Sequence, residues 1–186
     1  MIFETERLIL RPWELSDAED LYRYASDPRV GPIAGWNVHT SVENSREIIK
    51  AVLSAPETYA VVLKETGEPV GSAGLMIGEK SNIGLPDTEC EVGYWLGVPF
   101  WGRGLIPEAI RCLMKHGFES LNMDKMWCGY FDGNVKSRRI MEKCGFMYHH
   151  TSENVSCAIE GVFRTEHVTC ITRDEWEKIK ESEKEL

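Results

Sequence analysis

The stretch Phe100-Trp-Gly-Arg-Gly-Leu-Ile-Pro-Glu108 holds the residue types best placed to do chemistry. Gly102 and Gly104 lack a Cβ, so the backbone there can turn sharply and come close to a ligand. Pro107 suits the first turn of a helix, where an N–H is not needed. A helix start carries unpaired N–H groups and partial positive charge, which together favour a phosphate. The sequence is not the phosphate loop of nucleotide hydrolases, because no Gly-Lys-Ser/Thr follows. It is not the Gly-x-Gly-x-x-Gly dinucleotide signature either. On its own, Gly-x-Gly better fits a plain tight turn between a strand and a helix.

The flanking patterns supply both elements. The apolar run Val92-Gly-Tyr-Trp-Leu-Gly-Val98 ends a strand from Glu89, with burial expected on both faces, as at a sheet centre. From Glu108 to Leu121 the residues Ala109, Ile110, Leu113, Met114, Gly117, Phe118 and Leu121 recur at helical spacing. Earlier, Leu8–Leu10 reads as a strand. Ser16-Asp-Ala-Glu19 reads as a capping box for a helix to about Ala25. An irregular loop with Gly31, Pro32, Gly35 and Trp36 follows. Thr40-Ser-Val-Glu43 reads as a second box, opening a helix through Leu53 with Ile48, Ile49, Val52 and Leu53 on its apolar side. Strands are expected at 59–63 and 70–77, joined by a hairpin turn, and at 126–130. Asn134 is the expected N-cap of a helix from Val135 to Lys143, ended by Gly145. Two last strands, 146–151 and 162–171, precede a helix capped at Thr172. The order predicts a mixed α/β sheet with helices on its faces.

The chain has 186 residues, 42% of them hydrophobic, which suits one globular domain over 1–186. No apolar run approaches the ~20 residues of a spanning helix. The first residues, Met1-Ile-Phe-Glu-Thr-Glu-Arg7, lack a signal-peptide core, so a cytoplasmic location is expected. A net charge of −9 argues against nucleic acid or anionic membrane as the main partner, since both need a basic face. It suits a cationic amine, and it equally suits ordinary solubility. The six cysteines form no Cys-x-x-Cys pair, so neither a disulfide framework nor a metal site is expected.

Two segments now stand in one pattern: Tyr94-Trp-Leu-Gly-Val-Pro-Phe-Trp-Gly-Arg-Gly104 and Asn134-Val-Lys-Ser-Arg-Arg-Ile-Met-Glu-Lys-Cys-Gly-Phe146. Together they resemble the acetyl-CoA-binding core of the GNAT family of N-acetyltransferases. Thr5-Glu-Arg-Leu-Ile-Leu-Arg-Pro-Trp13 resembles the opening of its RimJ/RimL-like branch, which includes enzymes that acetylate N-termini of ribosomal proteins. The resemblance covers nearly the whole chain. It implies a central, mostly antiparallel mixed sheet, splayed at the cofactor site, with helices on both faces. The family loop Gln/Arg-x-x-Gly-x-Gly/Ala lies over Trp101–Ile106. Gly104 matches it, while Trp101 and the bulkier Ile106 depart from it.

The resemblance implies acetyl-CoA as cosubstrate and direct attack of an amine on its thioester. The backbone N–H groups of Arg103, Gly104, Leu105 and Ile106 would bind the pyrophosphate. Leu96 and Asn134 would hold the pantetheine arm, although an N-cap role would compete for the Asn134 oxygen. Lys136, Arg138, Arg139 and Arg103 could pair with CoA phosphates or be solvated charges. The Val98 N–H would stabilise the thioester oxygen as charge develops. Pro99 beside it fits a strand leaving its ladder. Glu91 is the candidate base, with Glu89 on the same strand face as fallback. An ordinary carboxylate at a strand start is the alternative. Many family members protonate the leaving thiolate with a tyrosine seven residues after the motif asparagine. That position is Met141 here, which leaves Ser137 as donor, or as a small residue that lets the helix approach.

Trp13, Trp36 and the loop from Pro28 to Thr40 would frame the acceptor cleft. The acceptor could be a protein N-terminal α-amine or a small-molecule amine, and the family allows a homodimer. A non-catalytic CoA-binding module on the same fold, and an unrelated phosphate or nucleotide binder, are the competing readings.

Overall fold

A computed structural model describes residues 1–184. Positions 185–186 of the expected domain lie outside the described residues. The elements in chain order are β1 (Phe3–Glu4), β2 (Leu8–Arg11), α1 (Ala18–Ala25), α2 (Gly31–Ala34), α3 (Val42–Ile48), β3 (Thr58–Leu63), β4 (Pro69–Ile77), β5 (Glu89–Leu96), α4 (Leu105–Lys115), β6 (Lys125–Phe131), α5 (Val135–Lys143), β7 (Met147–Ser156), β8 (Phe163–Thr172) and α6 (Arg173–Lys184). The strands form one sheet in the order β1-β2-β3-β4-β5-β6-β8-β7. Every neighbouring pair is antiparallel except β5 and β6, which run parallel.

Strand alternation sends successive side chains to opposite faces of this sheet. One face carries Leu8, Leu10, Val61, Leu75, Cys90 and Val92 against the buried stripe of α4. α4 runs on through a wider turn, His116–Ser120, in which Phe118 is fully buried. Each such fully buried leucine or phenylalanine stabilises the fold by about 1.5–3 kcal/mol. On the other face, Ala60 and Val62 of β3 pack with Trp13, Ala18, Leu21, Ala25, Ile49 and Leu53 of α1, α3 and their flanks. The mixed sheet with helices on both faces therefore matches the sequence expectation.

Several local expectations change. α4 begins at Leu105, three residues before the apolar periodicity suggests, because Gly104 takes a left-handed conformation and starts the helix directly. The Ser16–Glu19 box does not form. Instead the Asp17 carboxylate accepts the Glu14 N–H at 2.9 Å and the Arg11 guanidinium at 2.7 and 2.8 Å, which opens a short turn leading into α1. The second cap is Ser41, not Thr40: its Oγ accepts the Asn44 N–H at 3.0 Å. Val52 is 58% exposed rather than apolar-side, because the helix widens over Ile49–Leu53 and turns it outward. α2 was not expected. It is a four-residue helix with Pro32 in its first turn and left-handed Gly35 at its end, too short to show a period. The cap at Thr172 forms as expected, with Thr172 N–H donating to Glu175 at 2.8 Å.

Candidate active site

The parallel pair β5 and β6 is in register over only three residue pairs, Glu89 with Lys125, Cys90 with Met126 and Glu91 with Trp127. β5 continues to Leu96 and β6 to Phe131 without further pairing. The sheet thus splits beyond Glu91. This also corrects the expected continuous burial of β5: Gly93, Tyr94 and Trp95 are only half-buried, since no strand covers that edge.

The backbone direction along the split follows from the ladder. The Gly97 N–H donates to Val70 across β4 at 2.8 Å. By alternation, Val92, Tyr94 and Leu96 turn their N–H and C=O groups into the gap, and the next such N–H is that of Val98. The Val92 carbonyl accepts the Cys128 thiol at 3.2 Å, and the Leu96 carbonyl accepts the Trp101 indole N–H at 2.8 Å. Trp101 therefore ties the strand end to the loop that follows it.

Gly102 and Gly104 both have φ of 76°. Only glycine adopts this region freely. No side chain caps the start of α4. Among the described residues the Leu105 and Ile106 N–H groups have no acceptor, and Pro107 has none to offer. The loop is braced from behind. The Arg7 guanidinium donates to the Arg103 carbonyl at 2.8 Å and to Glu108 at 2.7 Å, while the Arg7 N–H donates to Glu108 at 2.8 Å. Thr5 adds a hydroxyl at 2.5 Å. Burial alone would raise the Glu108 carboxyl, but these hydrogen bonds and the Arg7 charge hold it below its ordinary range. Arg103 stacks on Phe100 and Lys136 on Trp101, so two of the expected cations stand on rings beside the loop. Arg138 instead pairs with Glu142 at 2.8 Å.

On the helix side of the split, the Asn134 oxygen accepts the Ser137 N–H at 3.2 Å. The cap uses that oxygen and leaves the amide NH₂ free to donate elsewhere. The Tyr94 hydroxyl lies 2.6 Å from Ser137 Oγ.

On the opposite face, Glu91 sits at the vertex, 5% exposed. Its carboxylate accepts the Asn82 N–H at 2.7 Å and the Asn82 amide at 3.2 Å. Burial raises its pKa, and the Asn82 hydrogen bonds oppose that rise only in part. Glu89 accepts the Trp127 indole N–H. Gly93 and Trp95 share the face of Glu91, and Gly129 and Phe131 share the face of Trp127. A Cβ at Gly129 would collide with the Glu166 carboxylate. Glu166 is half-buried, and no protein group among the described residues hydrogen-bonds its carboxylate. Burial, then the charge of Glu91, raises its pKa. Trp95 stands 6.0 Å from Trp36 and 6.3 Å from Trp13. Trp13 is buried and donates to Ser72 at 3.2 Å, so it supports the wall from behind. The sequence pattern did not single out Arg7, the side chain of Tyr94, or Glu166. Each reaches the site through contacts between segments far apart in the chain.

Residues 7–147 match the acetyltransferase (GNAT) domain family. This chain belongs to the GNAT acetyltransferase family. The GNAT chain is similar to the uncharacterized N-acetyltransferase p20 of Bacillus licheniformis, 33% identical over 147 residues, covering 76% of this chain and 80% of that one. Its fold is similar to the acetyltransferase (GNAT family) structure from Bacillus anthracis, with a TM-score of 0.80 at 22% identity over 94% of this chain and 99% of that one. It is also similar to Mycobacterium smegmatis RimJ in complex with CoA-disulfide, with a TM-score of 0.70 at 19% identity over 90% of this chain and 83% of that one. As a GNAT enzyme it is an N-acetyltransferase, which sets aside a chance resemblance to a nucleotide-binding loop. Among the described residues no helix is long and apolar enough to cross a membrane.

Proposed function

We propose that the chain is one catalytic domain that transfers acetyl from acetyl-CoA to a cationic primary amine, a protein N-terminal α-amine or a small-molecule amine, by direct attack. The observation that carries this reading is the split beyond Glu91, which opens beside a helix start with free N–H groups. A pyrophosphate on Arg103, Gly104, Leu105 and Ile106 and a pantetheine arm along Tyr94 and Leu96 would bring a thioester to Val98. The RimJ neighbour with bound CoA-disulfide supports that choice of cosubstrate. The residues present fit it: among the described residues the Leu105 and Ile106 amides are unpartnered, and the cap leaves the Asn134 NH₂ to donate.

The acceptor enters from the other face. Glu91 and Glu166 favour an ammonium, and the Trp36 and Trp95 rings favour a cation at short range. An amine attacks only after losing its proton. Glu91 suits that task because burial raises its pKa, which makes it a stronger base than an ordinary carboxylate. Glu89, which accepts the Trp127 indole N–H, is the fallback base. The Val98 N–H faces the oxygen on which charge develops, and the Ser137 hydroxyl faces the leaving sulfur. A panel of amines and N-terminal peptides with acetyl-CoA, followed by release of free thiol, tests the proposal. Turnover with at least one acceptor is expected. Binding of acetyl-CoA by calorimetry with no product from the whole panel would favour a non-catalytic CoA-binding role.

A further inference from the structure

Tyr94 belongs to β5, yet its phenol crosses the split to α5. Its oxygen lies 2.6 Å from Ser137 Oγ and 3.2 Å from the Ser137 carbonyl. Where many relatives would carry a tyrosine, this chain has Met141, which is 1% exposed, its sulfur 3.4 Å from a Thr169 hydroxyl that donates to the Cys128 carbonyl. The phenol beside Ser137 therefore comes from a different element. Of two hydroxyls at 2.6 Å, the phenol is the stronger acid and the better donor. Burial pushes the Tyr94 phenol up, so it keeps its proton throughout the ordinary pH range.

We infer that Tyr94 is a positioning residue for acetyl transfer: its O–H donates to Ser137 Oγ, which leaves the seryl O–H to point into the split at the leaving sulfur. Without Tyr94, the seryl hydrogen can turn back to a carbonyl of its own helix and be lost to the reaction. In the step itself, the amine lone pair forms the C–N bond. The C–S bond breaks, and its electron pair leaves on sulfur. The seryl O–H donates a hydrogen bond to that thiolate and keeps its proton. The thiolate then takes a proton from water, and the protons shed by nitrogen leave through the base and solvent. The inference rests on Ser137 being the donor, as proposed above.

The test compares Tyr94→Phe, Ser137→Ala and the double variant with wild type, using the best acceptor from the amine panel. Tyr94→Phe is expected to lower kcat about tenfold, in line with one lost hydrogen bond, with KM for acetyl-CoA unchanged within about twofold. The double variant should be no slower than Ser137→Ala alone, because the two groups act as a unit. A merely structural role would instead raise KM, and its kcat loss would multiply with that of Ser137→Ala. Full kcat in Tyr94→Phe alongside a slow Ser137→Ala overturns this inference and leaves the donor reading standing. Full kcat in Ser137→Ala overturns both, while acetyl transfer itself survives. Should Tyr94→Phe fail to fold, a ring-fluorinated tyrosine at 94 keeps the shape and acidifies the phenol. Its kcat is expected to fall at the pH where absorbance shows the ring ionising, and a kcat that holds through that ionisation overturns the inference.

Discussion

The Arg7 guanidinium donates to the Glu108 carboxylate at 2.7 Å across 101 residues of sequence, and the same guanidinium holds the Arg103 carbonyl. The edge turn between β1 and β2 thus fixes the glycine loop. Arg7→Ala should weaken acetyl-CoA binding several-fold by calorimetry. It should cost only ~1 kcal/mol of stability, since Arg7 is well exposed. Because the Glu108 pKa is lowered in the folded protein, its contribution is present above the ordinary carboxylate range. That contribution disappears as pH falls through the lowered value. Thermal unfolding curves of wild type and Arg7→Ala should therefore converge in acid.

Gly104 has a left-handed backbone, which costs a residue with a Cβ about 1–2 kcal/mol. Gly67, in the turn between β3 and β4, has φ of 72° and open space around it. Gly104→Ala and Gly67→Ala should lose similar stability in denaturant melts. Only Gly104→Ala should also weaken acetyl-CoA, by about tenfold. Equal affinities in the two variants would count against the loop as the pyrophosphate site.

Asn134 separates capping from ligand binding. Asn134→Asp keeps an acceptor for the Ser137 N–H but loses the amide donor. It should match wild type in melting temperature and bind acetyl-CoA more weakly. Asn134→Ala should lose both, with ~1 kcal/mol from the cap.

Glu91→Gln should lower kcat by about a hundredfold or more. In wild type, the raised pKa keeps Glu91 protonated to a higher pH than an ordinary carboxyl, so under the proposed role activity should rise as it ionises. That acid limb of kcat/KM should be missing from the variant's pH profile.

The proposed reading gives Glu166 a different task, holding the acceptor's charge, because it stands off the vertex, over Gly129. Glu166→Gln should raise KM for a cationic amine by about tenfold and leave kcat nearly unchanged. Steady-state kinetics with a fixed, saturating donor reads both values.

Much of this fold was legible because its long elements repeat their patterns. The stripe of α4, the branched and apolar run of β3, and Asn134 with Gly145 around α5 are local signals. The two residues of β1 and the four of α2 are too short to carry a period. The glycine loop was readable as a turn between strand and helix, yet the first residue of α4 was not, since it depends on the left-handed turn at Gly104. The joining of Tyr94 to Ser137 and the placing of Glu166 over Gly129 depend on pairings such as β6 with β8. Register of that kind is set by the packed sheet, and no window of sequence contains it.

The three ladder pairs between β5 and β6 also bear on how the two ends of the molecule cohere. Five strands lie on one side of that seam and three on the other. So short a seam leaves helix packing to supply the rest of its strength. A donor molecule lodged there would serve as a keystone as well as a reagent, and the emptied enzyme would be the looser one.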